Sequence, residues 1–517
     1  MVVSVTIAAI VGVSAAWAAS TLESAGRLGR TVALVFLACM VAALAMPMIL
    51  HAAAWEATAG KFGWLPLTQT GSRATGLTAF GAFGGLTACG WIHGLVGAAM
   101  TALATWHGVR TVPQAILDQA SLERSPSSVW WRIRLPLAMP WMATALLATA
   151  ALAATEMTVV DLYGFRTVAD EFYLYFAVSP TSTSLAMMCV LPIVIGSILM
   201  AVVTSFPRER ISVRRNENRA SGLLTSPNKS TGKSTSKSRG AERWLGPRRS
   251  TTIAAGVWAM AVATMILLVP VAGLFVKAGH QVRVRDDRVE VHWSVQQAAT
   301  TLATAPTDYA SEYGWTIMLS VITGVVAILI AWPLAALARS SAAIGRLADL
   351  ISIAMFMIPG PVIGLLVVRL FRMDVPAFDM LYQRTLIPTT IALLFRAAPP
   401  AYWVMRAGYR VMDPTLIDAA RLDGSFVARM WTIDRGMLAT SCFVAFAGSC
   451  LIASGDVPAT LPVIPPGVTT VGTRLFGLLH SGARQQEAVL AIWYVGGCIA
   501  VALFGLWRIQ NREMRRS

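Results

Sequence analysis

Two carboxylates and one guanidinium stand out in this chain because each lies in or beside a long apolar stretch. Glu156 and Asp456 are 300 positions apart, each at the end of such a stretch, and Arg396 lies within another. Ionisable groups in apolar surroundings are costly, and they are commonly kept for contact with a solute or with one another. We predict that Glu156, Asp456 and Arg396 lie along the path of a solute.

Structural alternatives stay open at these three positions. Hydrogen bonds to loop backbone would also explain both carboxylates, and an ion pair with Asp349 or Asp456 would explain Arg396. Carboxylates suit a hard cation, but two of them are too few to define a metal site. The six cysteines show no CxxC spacing, which indicates small buried residues rather than a metal or redox centre.

A second set of residues occurs twice at the same separation of 300 positions. The copy in 107–136 contains Asp118, Gln119, Ala120, Leu122, Arg124, Ile133 and Pro136. The copy in 405–436 contains Asp418, Ala419, Ala420, Leu422, Asp423, Gly424 and Ile433. Small residues let another protein approach closely, acidic residues suit the start of a helix, and glycine permits a turn. Each copy is therefore predicted to be a short helical element that docks onto another protein.

The elements that position these residues are predicted to be membrane-spanning helices. Such a helix needs about 20 apolar residues, and lipid offers its backbone no water to bond. Eleven stretches qualify, namely 2–19, 31–50, 79–106, 137–155, 185–205, 251–275, 316–337, 350–368, 386–404, 437–454 and 489–507. The sequence PGP at 359–361 is predicted to break or kink one of them, either as a gate or for packing.

The duplicated segments divide the chain into two halves. Residues 1–206 hold about five predicted spans and residues 251–517 hold about six, the first of which has no counterpart in the first half. Residues 207–250 are rich in Ser, Lys, Arg and Asn and are predicted to be a basic disordered linker on the cytoplasmic side. The predicted fold is an all-α polytopic membrane protein with about 11 transmembrane helices in two parallel halves related by a pseudo-twofold axis.

Composition supports this fold and predicts its orientation. Of the 517 residues, 56% are hydrophobic and 13% charged, against roughly 25% charged in soluble domains. Most of the 42 Lys and Arg residues fall on the side of the duplicated segments, which places that side and the C-terminus in the cytoplasm and the N-terminus outside. Anionic lipid accounts for the net charge of +16 without nucleic acid. Residues 2–19 lack the basic start of a signal peptide and are predicted to be the first span.

The second duplicated segment resembles a known family motif. Residues 418–424 read DAARLDG, which is similar to the EAA loop of binding-protein-dependent ABC importer permeases. The first copy keeps the motif's ending, IRLP at 133–136, but Asp replaces Glu in both copies, and Gln119 and Arg124 replace Ala and Gly. Gly436 stands where the motif has Pro. Arg124 is expected to weaken the first contact, because glycine permits a backbone that other residues avoid.

A further resemblance concerns the solute. Residues 455–461 read GDVPATL and 465–467 read PPG, similar to the ferric-iron permease group. The resemblance implies a fused two-half permease subunit in a bacterial inner membrane, moving ferric iron from an extracytoplasmic binding protein to the cytoplasm. It also implies that two cytoplasmic ABC ATPase subunits bind the loops in 107–136 and 405–436. Related permeases carry thiamine, polyamines, sulfate or phosphonates, so these solutes stay open.

The chain itself is predicted to be a transport subunit and not an enzyme. Residues 227–234 read PNKSTGKS, which lacks the leading glycine and the flanking strand of a phosphate-binding loop. We therefore expect no cofactor on this chain and ATP with Mg on the partner. The alternatives from other classes are a secondary transporter driven by an ion gradient and a degenerate membrane protein that no longer transports.

Overall fold

The structure, a computed structural model, describes residues 1–60, 85–167, 249–285, 288–373, 375–412, 430–482 and 484–514, with Ser425 and isolated positions between 171 and 198. The linker predicted at 207–250 lies outside the described residues except for its last two positions. The described part is almost entirely helical.

Eight helices of the first half are described. They are α1 (Val2–Glu23), α2 (Gly26–Ala45), α3 (Met48–Ala59), α4 (Leu86–Arg110), α5 (Gln114–Glu123), α6 (Pro126–Val129), α7 (Leu135–Thr155) and α8 (Thr158–Leu162). A π-helical turn, Trp130–Arg134, joins α6 to α7.

The rest of the described chain begins with α9 (Arg249–Ala263), a π-helical turn (Thr264–Leu268) and α10 (Val269–Ala278), followed by strands β1 (His280–Arg285) and β2 (Arg288–Trp293). The next helices are α11 (Val295–Asp308), α12 (Ala310–Ser340), α13 (Ala342–Met357), α14 (Gly360–Phe371), α15 (Pro376–Arg384) and α16 (Ile387–Val411). A π-helical turn (Met430–Asp434) leads into α17 (Arg435–Gly455), which is followed by α18 (Val457–Thr460), α19 (Val471–Ser481) and α20 (Arg484–Met514).

The membrane-spanning fold predicted from the sequence is confirmed. Within the described residues, eight helices are long and apolar enough to cross a membrane, and each overlaps one of the predicted spans. The predicted span 386–404 is helical as well, although α16 is too polar to be counted among those eight. The predicted span 185–205 lies almost wholly outside the described residues.

Proline interrupts two of the predicted spans. The stretch 31–50 is not one helix: α2 ends at Ala45, and α3 starts after Pro47, which has no N–H to continue the ladder of hydrogen bonds. The stretch 350–368 is broken as PGP predicted, and α13 and α14 meet at an angle of 102°. At the break, a Cβ on Gly360 would lie 2.8 Å from Pro458, so the bend lets α14 pack closely on the α18 region.

Corresponding helices of the two halves make corresponding contacts. Helices α1, α4 and α7 pack on one another, as do α12, α16 and α17. A Cβ on Gly108 would lie 2.7 Å from Trp141 and 3.0 Å from Ala138. Gly408 has the same relation to Ser441 and Leu438, at 2.5 and 2.8 Å. The separation of 300 residues seen in the sequence therefore recurs in the contacts between helices.

A further contact repeats halfway along the same helices. Gly97 of α4 packs against the side chain of Thr149 of α7. Three hundred residues on, the Ser449 hydroxyl of α17 donates to the Ala397 carbonyl of α16 at 3.2 Å. Small residues at these crossings let the helix backbones approach closely, which is how helices associate when lipid supplies no hydrophobic drive.

The segment before the second repeat packs mainly on the first half. Helices α9 and α10 contact α1, α2 and α3, and α10 also contacts the last helix, α20. After α10 comes an antiparallel hairpin whose register runs from His280↔Trp293 to Arg285↔Arg288. Neither the hairpin nor the amphipathic helix α11 that follows it was predicted from the sequence.

Candidate functional site

The first duplicated segment forms a surface helix at one end of the bundle, hereafter the loop end. Helix α5 buries Leu117 in a small apolar cluster with Val112 and Val129. Away from this cluster, Ile116 and Leu122 are exposed, and Leu122 is 86% exposed. Apolar side chains presented on a short polar helix suit contact with another protein.

The polar residues of the first segment organise this helix locally. The Asp118 carboxylate accepts from Gln114 Nε2 at 2.8 Å, and the Ser121 hydroxyl donates to the Asp118 carbonyl at 2.7 Å. Asp118 and Gln119 are exposed, and Ala120 is half-buried against the Leu117 cluster. The acidic and small residues of the segment are thus on or near the surface that a partner would meet.

Arg124 does not strain the backbone, and the expectation that it weakens the first contact stays a prediction. It ends α5 with φ −135° and ψ 150°, an extended conformation open to any residue. Ser125 then starts the next helix, and its hydroxyl accepts from Ser128 N at 3.4 Å. No glycine is needed at this turn. The Arg124 that stands in place of the motif's glycine therefore adds a side chain to the surface and leaves the backbone path unaltered.

A π-helical turn connects each loop to its following span. It covers Trp130–Arg134, including Ile133, in the first half and Met430–Asp434, including Ile433, in the second. Pro136 lies in the first turn of α7, where a missing N–H costs little. Because Gly436 stands at the equivalent position, the turn forms with or without proline. Residues 413–424 and 426–429 of the second loop lie outside the described residues, and they include Asp418, Ala419, Ala420, Leu422, Asp423 and Gly424.

Glu156 lies at the other end of the bundle, the far end. It terminates α7 and its carboxylate accepts from the N–H of Thr158 at 2.6 Å and of Val159 at 3.0 Å, so it caps α8. His93 of α4 approaches the same carboxylate at 3.3 Å. Glu156 is only 9% exposed, and each of its carboxylate oxygens accepts one of these backbone hydrogen bonds.

Asp456 has the same place in the second half. It terminates α17 and one carboxylate oxygen accepts from Ala459 N at 3.3 Å, which caps α18. The other oxygen is buried and has no hydrogen-bond partner within the described residues. It lies at a small cavity that is also lined by Thr316, Thr460 and Thr470. Both acidic residues therefore accept from backbone N–H groups of the short helix that follows them, and their place on a solute path stays a prediction.

Arg396 joins the two halves at the far end. Its guanidinium donates to the hydroxyl and the carbonyl of Thr155 in the first half, at 3.2 and 3.4 Å. It also donates to the Phe356 carbonyl at 3.2 Å. Glu156 and Asp456 both act on its charge by Coulombic attraction. Arg396 thus stands at the seam between the halves, near the carboxylate of each.

Asp349 is not the partner of Arg396. Its carboxylate pairs with Arg406, nearer the loop end, and Arg406 also donates to the Gly345 carbonyl at 3.0 Å. The two arginines of α16 are almost three turns apart, so one aspartate cannot serve both.

His93 and Thr155 were missed by the sequence analysis. Position 393, which corresponds to His93, is Leu, and position 96, which corresponds to Arg396, is Val. The basic side chain near each carboxylate therefore comes from the corresponding helix, but from positions about one turn apart. A search of the repeat for basic residues shifted by one turn would have found His93. Within the described residues, no group of three His, Cys, Asp or Glu side chains is placed to hold a metal ion.

These features define an all-α polytopic membrane permease. Residues 302–451 match the family model for the binding-protein-dependent transport system inner membrane component. The match supports a binding-protein-dependent ABC transport permease, a class of transport subunit that in general works with ABC ATPase and binding-protein partners. It spans α12 to most of α17 and includes the second loop. No curated protein matches the chain.

Proposed function

We propose that this chain is a fused permease subunit in which both halves work as importer units. The family match lies in the second half. We extend the proposal to the first half because Gly108 and Gly408 make equivalent contacts between helices. Each glycine lies directly before a loop and lets the span that follows the loop pack against the span that precedes it. Cytoplasmic ATPase subunits, two in number and holding ATP with Mg, would engage the two loops.

The solute would pass along the seam between the halves. Arg396 closes the far end of that seam through Thr155, so the route has to open there before a solute enters from outside. Binding-protein docking and the ATPase state would favour the open or closed arrangement, since a ligand shifts an equilibrium only by its differential affinity. The loop end would face the cytoplasm, with the N-terminus outside.

Ferric iron is the proposed solute. The support is the resemblance of residues 455–461 and 465–467 to ferric-iron permeases, together with two carboxylates near the seam, since oxygen ligands suit a hard cation. Within the described part of the chain, one carboxylate oxygen of Asp456 has no hydrogen-bond partner, whereas both oxygens of Glu156 accept backbone hydrogen bonds. Uptake of radioactive iron by cells expressing the whole transporter, compared with thiamine, polyamine, sulfate and phosphonate uptake, tests this assignment.

Co-purification tests the importer class. A tagged chain should bring down an ABC ATPase from its native membrane, and the neighbouring binding protein should stimulate ATP hydrolysis. Leu122→Asp, on the exposed face of α5, should reduce ATPase recovery at least about tenfold, because a charge would be buried at the contact. Leu28→Asp is the matched control, since Leu28 is 80% exposed on a different helix and should leave recovery unchanged.

Two results would overturn this function. Uptake that persists without any ATPase and follows an ion gradient would make the chain a secondary transporter. Recovery of neither an ATPase nor transport would indicate a degenerate permease. In the second loop, bulky replacements of Asp418 and Gly424 should leave the chain folded while separating ATP hydrolysis from uptake.

A further inference from the structure

Two buried side chains and one half-buried tryptophan connect the spans on either side of the second loop to the helix bundle. Trp332 Nε1 of α12 donates to the Tyr409 hydroxyl of α16 at 3.1 Å, and that hydroxyl donates to Asp434 Oδ2 at 2.7 Å. Asp434 is the last residue of the π-helical turn that follows the loop. One hydroxyl thus links the two spans on either side of the loop and a third helix beside them.

The burial of these groups makes the link costly to lose. Tyr409 is 2% and Asp434 1% exposed. A carboxylate taken out of water needs its hydrogen bonds, and bonds to charged acceptors are among the stronger ones. The backbone of Tyr409 is held as well, because Arg339 at the end of α12 donates to its carbonyl at 2.8 Å.

The first half has no such link at the corresponding positions. Val109 stands at the place of Tyr409, and Arg134 at the place of Asp434. Here Glu23 at the end of α1 accepts from Trp106 at 3.1 Å and pairs with Arg110 at 3.6 Å. The guanidinium of Arg134 is attracted electrostatically by Glu23, but Arg134 Nε is buried without a hydrogen-bond partner in the described residues.

We propose that Tyr409 and Asp434 are positioning residues that fix the second loop to the bundle, so that this loop transmits force more directly than the first. This inference rests on the proposed function for what the loop grips, whereas the link itself is a property of the chain. In a rigid link, a displacement of the loop moves α16 and α12 together. In the first half, the corresponding turn, Trp130–Arg134, is held by the packing of the buried Trp130 and by the attraction between Arg134 and Glu23.

Tyr409→Phe is the direct test because it removes one hydroxyl and keeps the ring. Backbone amides of residues 430–436 should exchange with deuterium roughly tenfold faster, since loss of a buried hydrogen bond to a charged group lowers the local opening energy. Tyr402→Phe is the matched control. Tyr402 is equally buried on the same helix, but its hydroxyl accepts from Arg406 at 3.0 Å and does not reach the turn.

Variants of the acceptor separate hydrogen bonding from charge. Asp434→Asn keeps an acceptor oxygen for Tyr409 and should keep exchange at 430–436 within about threefold of the unmodified chain. Asp434→Leu removes the acceptor and should reproduce the effect of Tyr409→Phe. In the complex with its ATPase, Tyr409→Phe should lower the solute moved per ATP, whereas Tyr402→Phe should not.

The outcomes distinguish the link from the proposed function. Exchange at 430–436 that is unchanged in Tyr409→Phe, or raised equally in Tyr402→Phe, would overturn the link. Faster exchange with an unaltered ratio of transport to ATP hydrolysis would overturn its role in force transmission. If the unmodified chain recovers no ATPase, the importer function fails, while the exchange experiment still decides whether Tyr409 and Asp434 hold the turn.

Discussion

The ammonium group of Lys277 lies 2.7 and 2.6 Å from the two carboxylate oxygens of Glu487, and both side chains are buried. Lys277 is on the last turn of α10, and Glu487 is on the first turn of α20. Close by, Gln485 donates to the Ala278 carbonyl at 3.2 Å. The ion pair therefore ties the segment before the second repeat to the last helix of the chain.

Lys277→Met should destabilise the chain by about 3–5 kcal/mol, because it leaves a buried carboxylate without its ammonium partner. The double variant Lys277→Met with Glu487→Leu should recover most of that loss, since an apolar pair carries no desolvation cost. Denaturation of the purified chain in detergent measures both. The exposed pair of His480 and Asp161, at 3.1 Å, supplies the control: Asp161→Asn should cost at most about 1 kcal/mol. A single variant as stable as the unmodified chain would contradict the prediction.

Gly408→Ala should destabilise the chain by about 1–3 kcal/mol, because its Cβ would overlap the Ser441 hydroxyl and force α16 and α17 apart. Gly108→Ala should do the same between α4 and α7. Gly448 is the matched control on α17, where a Cβ meets nothing within 4 Å. Gly448→Ala should be neutral, or stabilising by up to about 1 kcal/mol through helix propensity. Equal effects at Gly408 and Gly448 would show that the two spans do not pack as described.

A double-mutant cycle on Arg396 and Asp456 should reveal direct coupling between them. Arg396→Gln removes the charge that compensates the buried carboxylates and should cost about 3–5 kcal/mol. Adding Asp456→Asn should return roughly 1–3 kcal/mol of that loss, the range found for residues in one network. Asp379→Asn, in an exposed residue bonded to Gln383 at 2.9 Å, should add nothing beyond its own effect. Additive effects at Arg396 and Asp456 would mean that Arg396 is held by Thr155 and Phe356 alone.

Much of the fold followed from the sequence because lipid imposes simple requirements. A run of about 20 apolar residues in lipid has to be helical, so eight spans were located from composition. Where prediction of the helices failed, at Pro47, a single proline ended a helix within an apolar run. The hairpin at 280–293 was missed because it is short and polar, with no apolar run to mark it.

The candidate site was less accessible to the sequence. Glu156 and Asp456 were found because they keep the separation of 300, and Arg396 because a charge within an apolar run is conspicuous. His93 was missed because the corresponding position in the second half, 393, is not basic. The basic residue of that helix is Arg396, about one turn further along. The Tyr409–Asp434 link was missed for a similar reason. The corresponding positions in the first half are Val109 and Arg134, so a comparison of the two copies does not mark Tyr409 or Asp434 as a pair.

The sequence by itself determined the membrane-spanning helices and the repeated positions, because these depend on the apolar length of a segment and on residue spacing within one chain. Only the tertiary structure decided which polar groups meet. Arg396 pairs across the seam with Thr155 and not with Asp349, and Lys277 reaches a residue 210 positions away. Such contacts depend on how helices are rotated and offset against one another, and small side chains at their crossings set that geometry.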